Sequence, residues 1–129
     1  MIAYLEIKLP PITKKNSQRI LKGKGGRPFI APSEKYKVYE AAAGAYLEWW
    51  DDPIDEPVNV MCVYYMPTRR RVDLVNLQEA TLDTLVKHGI LKDDNCGIVV
   101  SMDGSRVKYD KQNPRTEITI EEAEGYGNE

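Results

Sequence analysis

Residues 2–9 alternate, with Ala3, Leu5, Ile7 and Leu9 on one face and Tyr4, Glu6 and Lys8 on the other, which is the period of a strand buried on one side. Pro10-Pro11 ends it. The run 57–66, PVNVMCVYYM, is apolar on both faces: Val58, Val60, Cys62, Tyr64 and Met66 alternate with Asn59, Met61, Val63 and Tyr65, a pattern that predicts a central strand. Between these, Val38, Ala42, Ala45 and Trp49 form one helical stripe and Tyr39, Ala43, Tyr46 and Trp50 an adjacent one, so a helix capped by Ser33 is expected through about Trp50. Its aromatic residues are expected in the core or a subunit interface. Leu74, Leu77, Leu82, Leu85 and Val86 recur at helical spacing between Asp73, suited to an N-cap, and Gly89, a stop. His88, at the end of this segment, is expected to cap it.

Residues 97–102 and 115–121 read as strands. Between them Asp103-Gly104 and Asn113-Pro114 are turn signals and 106–109 is strand-like, so one bulged strand and two short strands both fit. The order of elements predicts an α+β domain: a mixed sheet of four to five strands with two helices on one face. That domain is expected over residues 1–121, with an acidic, frayed tail at 122–129.

The 129 residues suffice for one domain with its own core. A formal charge of −2 argues against nucleic acid only if charge is uniform, and it is not. Lys14, Lys15, Arg19, Lys22, Lys24 and Arg27 lie between Thr13 and Pro28 with no acid among them, while Glu117, Glu121, Glu122, Glu124 and Glu129 crowd the C-terminus. The 13–28 stretch, rich in glycine and small polar residues, reads as a mobile basic loop able to lie along phosphates or to be an ordinary solvated loop. Cys62 and Cys96 are far apart and lack a CxxC partner, which favours reduced thiols and an intracellular, cytoplasmic protein over a zinc site. No segment reads as a signal peptide or a membrane span.

The stretch 69–94, RRRVDLVNLQEATLDTLVKHGILKDD, concentrates the candidate chemistry. Arg69, Arg70 and Arg71 precede Asp73, which can be a cap, a ligand or both. Asn76, Glu79, Asp83 and Lys87 lie three to four residues apart on one helix face, and Ile90 and Leu91 lead to Asp93 and Asp94 in a turn-like setting. A cap, a solvated arginine run and a plain turn also account for these residues.

Residues 67–95, PTRRRVDLVNLQEATLDTLVKHGILKDDN, resemble the core motif of the RusA family of Holliday-junction resolvases: a basic run, then D-x-D-N-L-x-K, a helix, and a paired-aspartate turn. The opening LPPITKKNSQR is similar to that family's proline-asparagine-basic loop. The resemblance implies the same α+β fold, with Asp73 at the first family aspartate, Asp94 at the aspartate of the later turn and Asp93 its neighbour. Val75 stands where the second aspartate is expected, and Glu79 where a lysine is expected.

The resemblance further implies a Mg²⁺-dependent endonuclease that resolves four-way DNA junctions by paired nicks as a homodimer. Mg²⁺ takes oxygen ligands and keeps several waters, so a few carboxylates from different elements suffice. Asp73 and Asp94 are the implied ligands, and Glu79, four residues after Val75 on the same face, is expected to reach the position Val75 leaves empty. Lys14, Lys15 or Lys92 is expected to supply the cation lost at position 79. Lys14, Lys15, Arg19, Arg69, Arg70 and Arg71 are the expected DNA contacts. A branched-DNA-binding protein of the same fold that cuts poorly is the alternative, and an interaction module without nucleic acid is a third.

Overall fold

The computed structural model describes residues 1–14, 19–22, 24–31 and 34–127. The chain runs β1 (Ala3–Ile7), β2 (Arg19–Lys22), β3 (Pro28–Ala31), α1 (Glu34–Ala43), β4 (Val58–Met66), α2 (Leu74–Lys87), β5 (Val99–Ser101), β6 (Arg106–Tyr109) and β7 (Arg115–Glu122). Five strands make one mixed sheet in the order β1, β7, β4, with β5 and β6 both on the far edge of β4. β7 is antiparallel to β1 and β4, whereas β5 and β6 run parallel to β4. α2 is the crossover that parallel pairing requires.

β4 is the central strand its two apolar faces predict. The register places Ile7 beside Thr116, Tyr64 beside Thr116, Cys62 beside Ile118 and Val60 beside Ile120, so these side chains share one face, and all are buried. Leu77, Ala80 and Leu85 of α2 and Tyr36, Tyr39 and Ala43 of α1 join the same core. Two pairs of hydroxyls that enter it bond each other: Tyr64 Oη lies 2.8 Å from Thr81 Oγ1, and Tyr36 Oη 3.2 Å from Thr84 Oγ1. Unpaired, each would cost a desolvation penalty of about 1–3 kcal/mol. Burial also pushes the Cys62 thiol up to about 12, which leaves it unreactive.

Two expectations are corrected. The first helix does not reach Trp50: it ends at Ala43 and tightens into a 3₁₀ turn, Gly44–Tyr46. A Cβ on Gly44 would sit 2.8 Å from His88 Cε1, so the glycine permits close approach of the two helix ends. The chain then turns inward to bury Leu47, while Trp50 is 87% exposed. The expected Val38 stripe also faces outward, with Val38 itself 67% exposed, and Tyr36, Tyr39 and Ala43 face the core instead. Ser33, the expected cap, lies outside the described residues.

The second correction concerns the described part of the basic stretch, where β2 pairs antiparallel with β3. Ile20 pairs with Ile30 and Leu21 with Phe29 around Gly25 and Gly26, whose φ values of 81° and 78° favour glycine. Of the two readings open between residues 97 and 121, the structure has the bulged run, in which Asp103-Gly104 does not reverse the chain. β5 pairs with the start of β4 and β6 with its end, in one direction, and residues 102–105 bulge between them. Gly104 takes the positive φ of 90° there, and Ser105 Oγ accepts from Cys62 N at 3.0 Å. Among the described residues no helix is long and apolar enough to cross a membrane.

Candidate functional site

The motif helix delivers the first acid. Asp73 has extended backbone angles and its Oδ1 accepts from Val75 N at 3.0 Å, the capping geometry expected of it. Three arginines precede it, and only two of them line one groove. The Arg69 guanidinium stacks 4.2 Å from the Tyr109 ring on β6. Arg70 and Arg71 instead line a groove of about 400 Å³ with Lys35 at the start of α1.

At the other end of α2, Gly89 adopts φ 77° and His88 caps the helix through its backbone N–H to Thr84 O. The His88 ring lies 2.7 Å from Glu40 O, which ties α2 to α1. Ile90 and Leu91 are then buried, and Leu91 bridges Ile54, so residues 92–97 leave from a fixed point. Within that loop Asp93 accepts from Asp94 N and Asn95 Nδ2, both at 2.8 Å, while Asn95 Oδ1 accepts from Gly97 N at 2.9 Å. These bonds hold the Asp93 carboxyl below its usual range. Asp93 therefore shapes the turn.

Asp94 has the opposite environment. Burial raises its carboxyl above the usual range, and the negative charge of Asp83 on α2 raises it further. Asp83 in turn accepts from Lys14 Nζ at 2.6 Å, a half-buried pair, and Lys14 Nζ also lies 5.4 Å from the Tyr36 ring centroid. Three separate parts of the chain thus interact: Lys14, after β1, bonds Asp83 in the last half of α2, and the Asp83 charge acts on Asp94 in the loop after it. Lys92, another candidate for the missing cation, pairs with Asp55 at 3.1 Å instead.

Asp73, Glu79 and Asp94 do not form one close group of carboxylates in this structure. Asp83 lies ten residues beyond Asp73 in the sequence, roughly 15 Å along a helix rising 1.5 Å per residue, and Asp94 approaches the Asp83 end. Val75 is 63% exposed and Glu79 is exposed one turn later. Among the described residues no three His, Cys, Asp or Glu side chains are grouped closely enough to hold a metal ion. The donors present are carboxylate oxygens, the type Mg²⁺ takes; Asp83 and Asp94, whose charges act on each other, offer two that substrate phosphate and water can complete. Arg19 belongs to β2. Lys15 lies outside the described residues.

Asp83 and Lys35 were missed as site residues in the sequence. Asp83 reads as one of several charges spaced along a solvated helix face, and only the returning loop shows its neighbour. Lys35 carries no motif signal.

The chain that builds this arrangement, a parallel crossover whose helix carries acids at its start and near its end, matches over residues 8–121 the family model described as Endodeoxyribonuclease RusA. The chain belongs to the RusA family and is an enzyme of the DNA-cutting class. It is similar to the crossover junction endodeoxyribonuclease RusA of Aquifex aeolicus (strain VF5), 30% identical over 93 residues that cover 70% of this chain and 72% of that protein.

Proposed function

We infer that this endonuclease resolves Holliday junctions with Mg²⁺, as a cytoplasmic homodimer in which each protomer makes one of two paired nicks. The observation that carries this reading is the meeting of Lys14, Asp83 and Asp94 at the end of the family motif. Hydrolysis adds water across a phosphodiester: a water oxygen bonds to phosphorus, the bond to one ester oxygen breaks, and that oxygen leaves with a proton. Mg²⁺ bound there would polarise the phosphoryl group and lower the pKa of water.

Asp94 is the working carboxylate, since it lies in the loop that returns toward Asp83 and its pKa is raised by desolvation and by the Asp83 charge. Asp83 positions it and Lys14, and Lys14 takes the place of the lysine absent at position 79. Glu79, one turn before Asp83 on α2, can complete the ligand set with DNA phosphate oxygens, whereas Asp73 at the helix start is too far along α2 to share that ion. Lys15 and Arg19 extend the contact with DNA beyond Lys14.

The dispersed carboxylates and exposed Val75 support a second reading, a branched-DNA-binding protein that cuts slowly. A labelled four-way junction and a linear duplex of the same sequence, each incubated with and without Mg²⁺, separate the two. Paired, symmetric nicks in the junction alone, dependent on Mg²⁺, are expected. Binding without nicks at any Mg²⁺ concentration would establish the second reading.

A further inference from the structure

We propose that Lys35, Arg70 and Arg71 form a groove that holds the phosphates of one DNA strand, and that Arg69 takes no part in it. The proposal rests on the nuclease reading above and assigns the strand's path. The groove lies between the 11–13 segment, the start of α1, the end of β4 and the 70–72 segment, and its volume of about 400 Å³ has room for a phosphate and its sugar. Among the described residues its lining holds three cations and no acid, with Ile12 and Met66 supplying apolar wall. None of the three cations is in an ion pair among the described residues, unlike Lys14, Lys87, Lys92 and Arg115.

Cations left unpaired around a partly apolar concavity act on an anion at a lower effective dielectric than cations on an open surface. The chemistry that satisfies all three at once is a run of phosphodiesters. The neighbouring groove along α1 is almost wholly apolar and offers no such attraction, although Lys35 stands on the rim of both.

Position in the chain links this groove to the acids. Thr13 and Val72 are both in its wall, and the next residues are Lys14 and Asp73. A strand in the groove therefore passes between the capped start of α2 and the segment that carries Lys14 to Asp83. Arg69 is turned toward the opposite edge, where its guanidinium is stacked on Tyr109.

The test is the salt dependence of four-way-junction binding in Ca²⁺ buffer, for the wild type and for Lys35→Ala, Arg70→Ala, Arg71→Ala and Arg69→Ala, with thermal melting as a control for folding. Each of the first three should lower the slope of log K against log salt by about 0.9, the value of one phosphate contact. Arg69→Ala should keep the wild-type slope. Wild-type binding with an unchanged slope in Lys35→Ala, or a slope lowered equally by Arg69→Ala, overturns the groove and leaves the nuclease reading standing. A wild type that binds no DNA at low salt overturns both.

Discussion

Asp93 and Asp94 are adjacent, yet hydrogen bonds pull the first carboxyl down while burial and the Asp83 charge push the second up. The contrast gives the site a pH signature. Asp94 works as a base or ligand only when ionised, so a raised pKa moves the acid limb of the pH–rate profile above the ordinary carboxylate range. Asp83→Asn removes a negative charge that disfavours ionisation, and the limb should move to lower pH. A profile unchanged in Asp83→Asn, measured by initial nicking rate, would show that Asp83 does not face the working group. Because Asp83→Asn also weakens the hold on Lys14, the maximal rate should fall as well, and the two effects separate in the full profile.

At the scale of elements, α2 and β4 were legible because each has one clear period: helical spacing of leucines in the first, alternation in the second. Elsewhere two signals competed. The 19–31 hairpin was hidden because lysine, glycine and proline outnumber its Ile20, Leu21, Phe29 and Ile30, which show their pairing only in register. The first helix was read too long because Tyr46 and Trp50 continue its spacing, whereas the fold stops it at Gly44 to admit His88. The capping roles of Asp73 and His88 followed from local chemistry and hold. The Lys14, Asp83 and Asp94 meeting is a long-range product of the turn at Gly89 and the anchors Ile90 and Leu91, and no spacing rule encodes it.

The turn between β6 and β7 offers an element-scale test. Asp110 accepts from Gln112 N and Asn113 N and from Arg115 Nη1 at 3.2, 3.1 and 3.0 Å, and these bonds, with that of Asn113 first, hold its pKa below the ordinary value. A depressed acid pKa contributes stability above the unfolded value, near pH 4, that is lost as pH falls through the folded value. Asp110→Ala should therefore melt lower than wild type at pH 7, and the gap should close below about pH 4. A gap that persists unchanged at pH 3 would show that the loss is not electrostatic.

At the scale of the whole molecule, the formal charge of −2 conceals a division of labour. The acids of the C-terminal strand pair within the sheet or face away from the motif: Arg115, for example, bridges Asp110 and Glu117, with its guanidinium 3.7 Å from the Tyr65 ring. The groove of Lys35, Arg70 and Arg71 keeps its positive charge. One two-layer domain thus presents a basic channel beside acids carried by the crossover helix and its return loop. The most direct measurement is nicking of a labelled four-way junction in Mg²⁺ by wild type, Asp94→Asn and Asp93→Asn, with binding recorded in parallel. The expected result is cleavage lost in Asp94→Asn with junction affinity equal or tighter, because a negative charge facing phosphate is gone, and cleavage largely kept in Asp93→Asn. Near wild-type cleavage by Asp94→Asn would contradict the assignment of Asp94 as the working carboxylate.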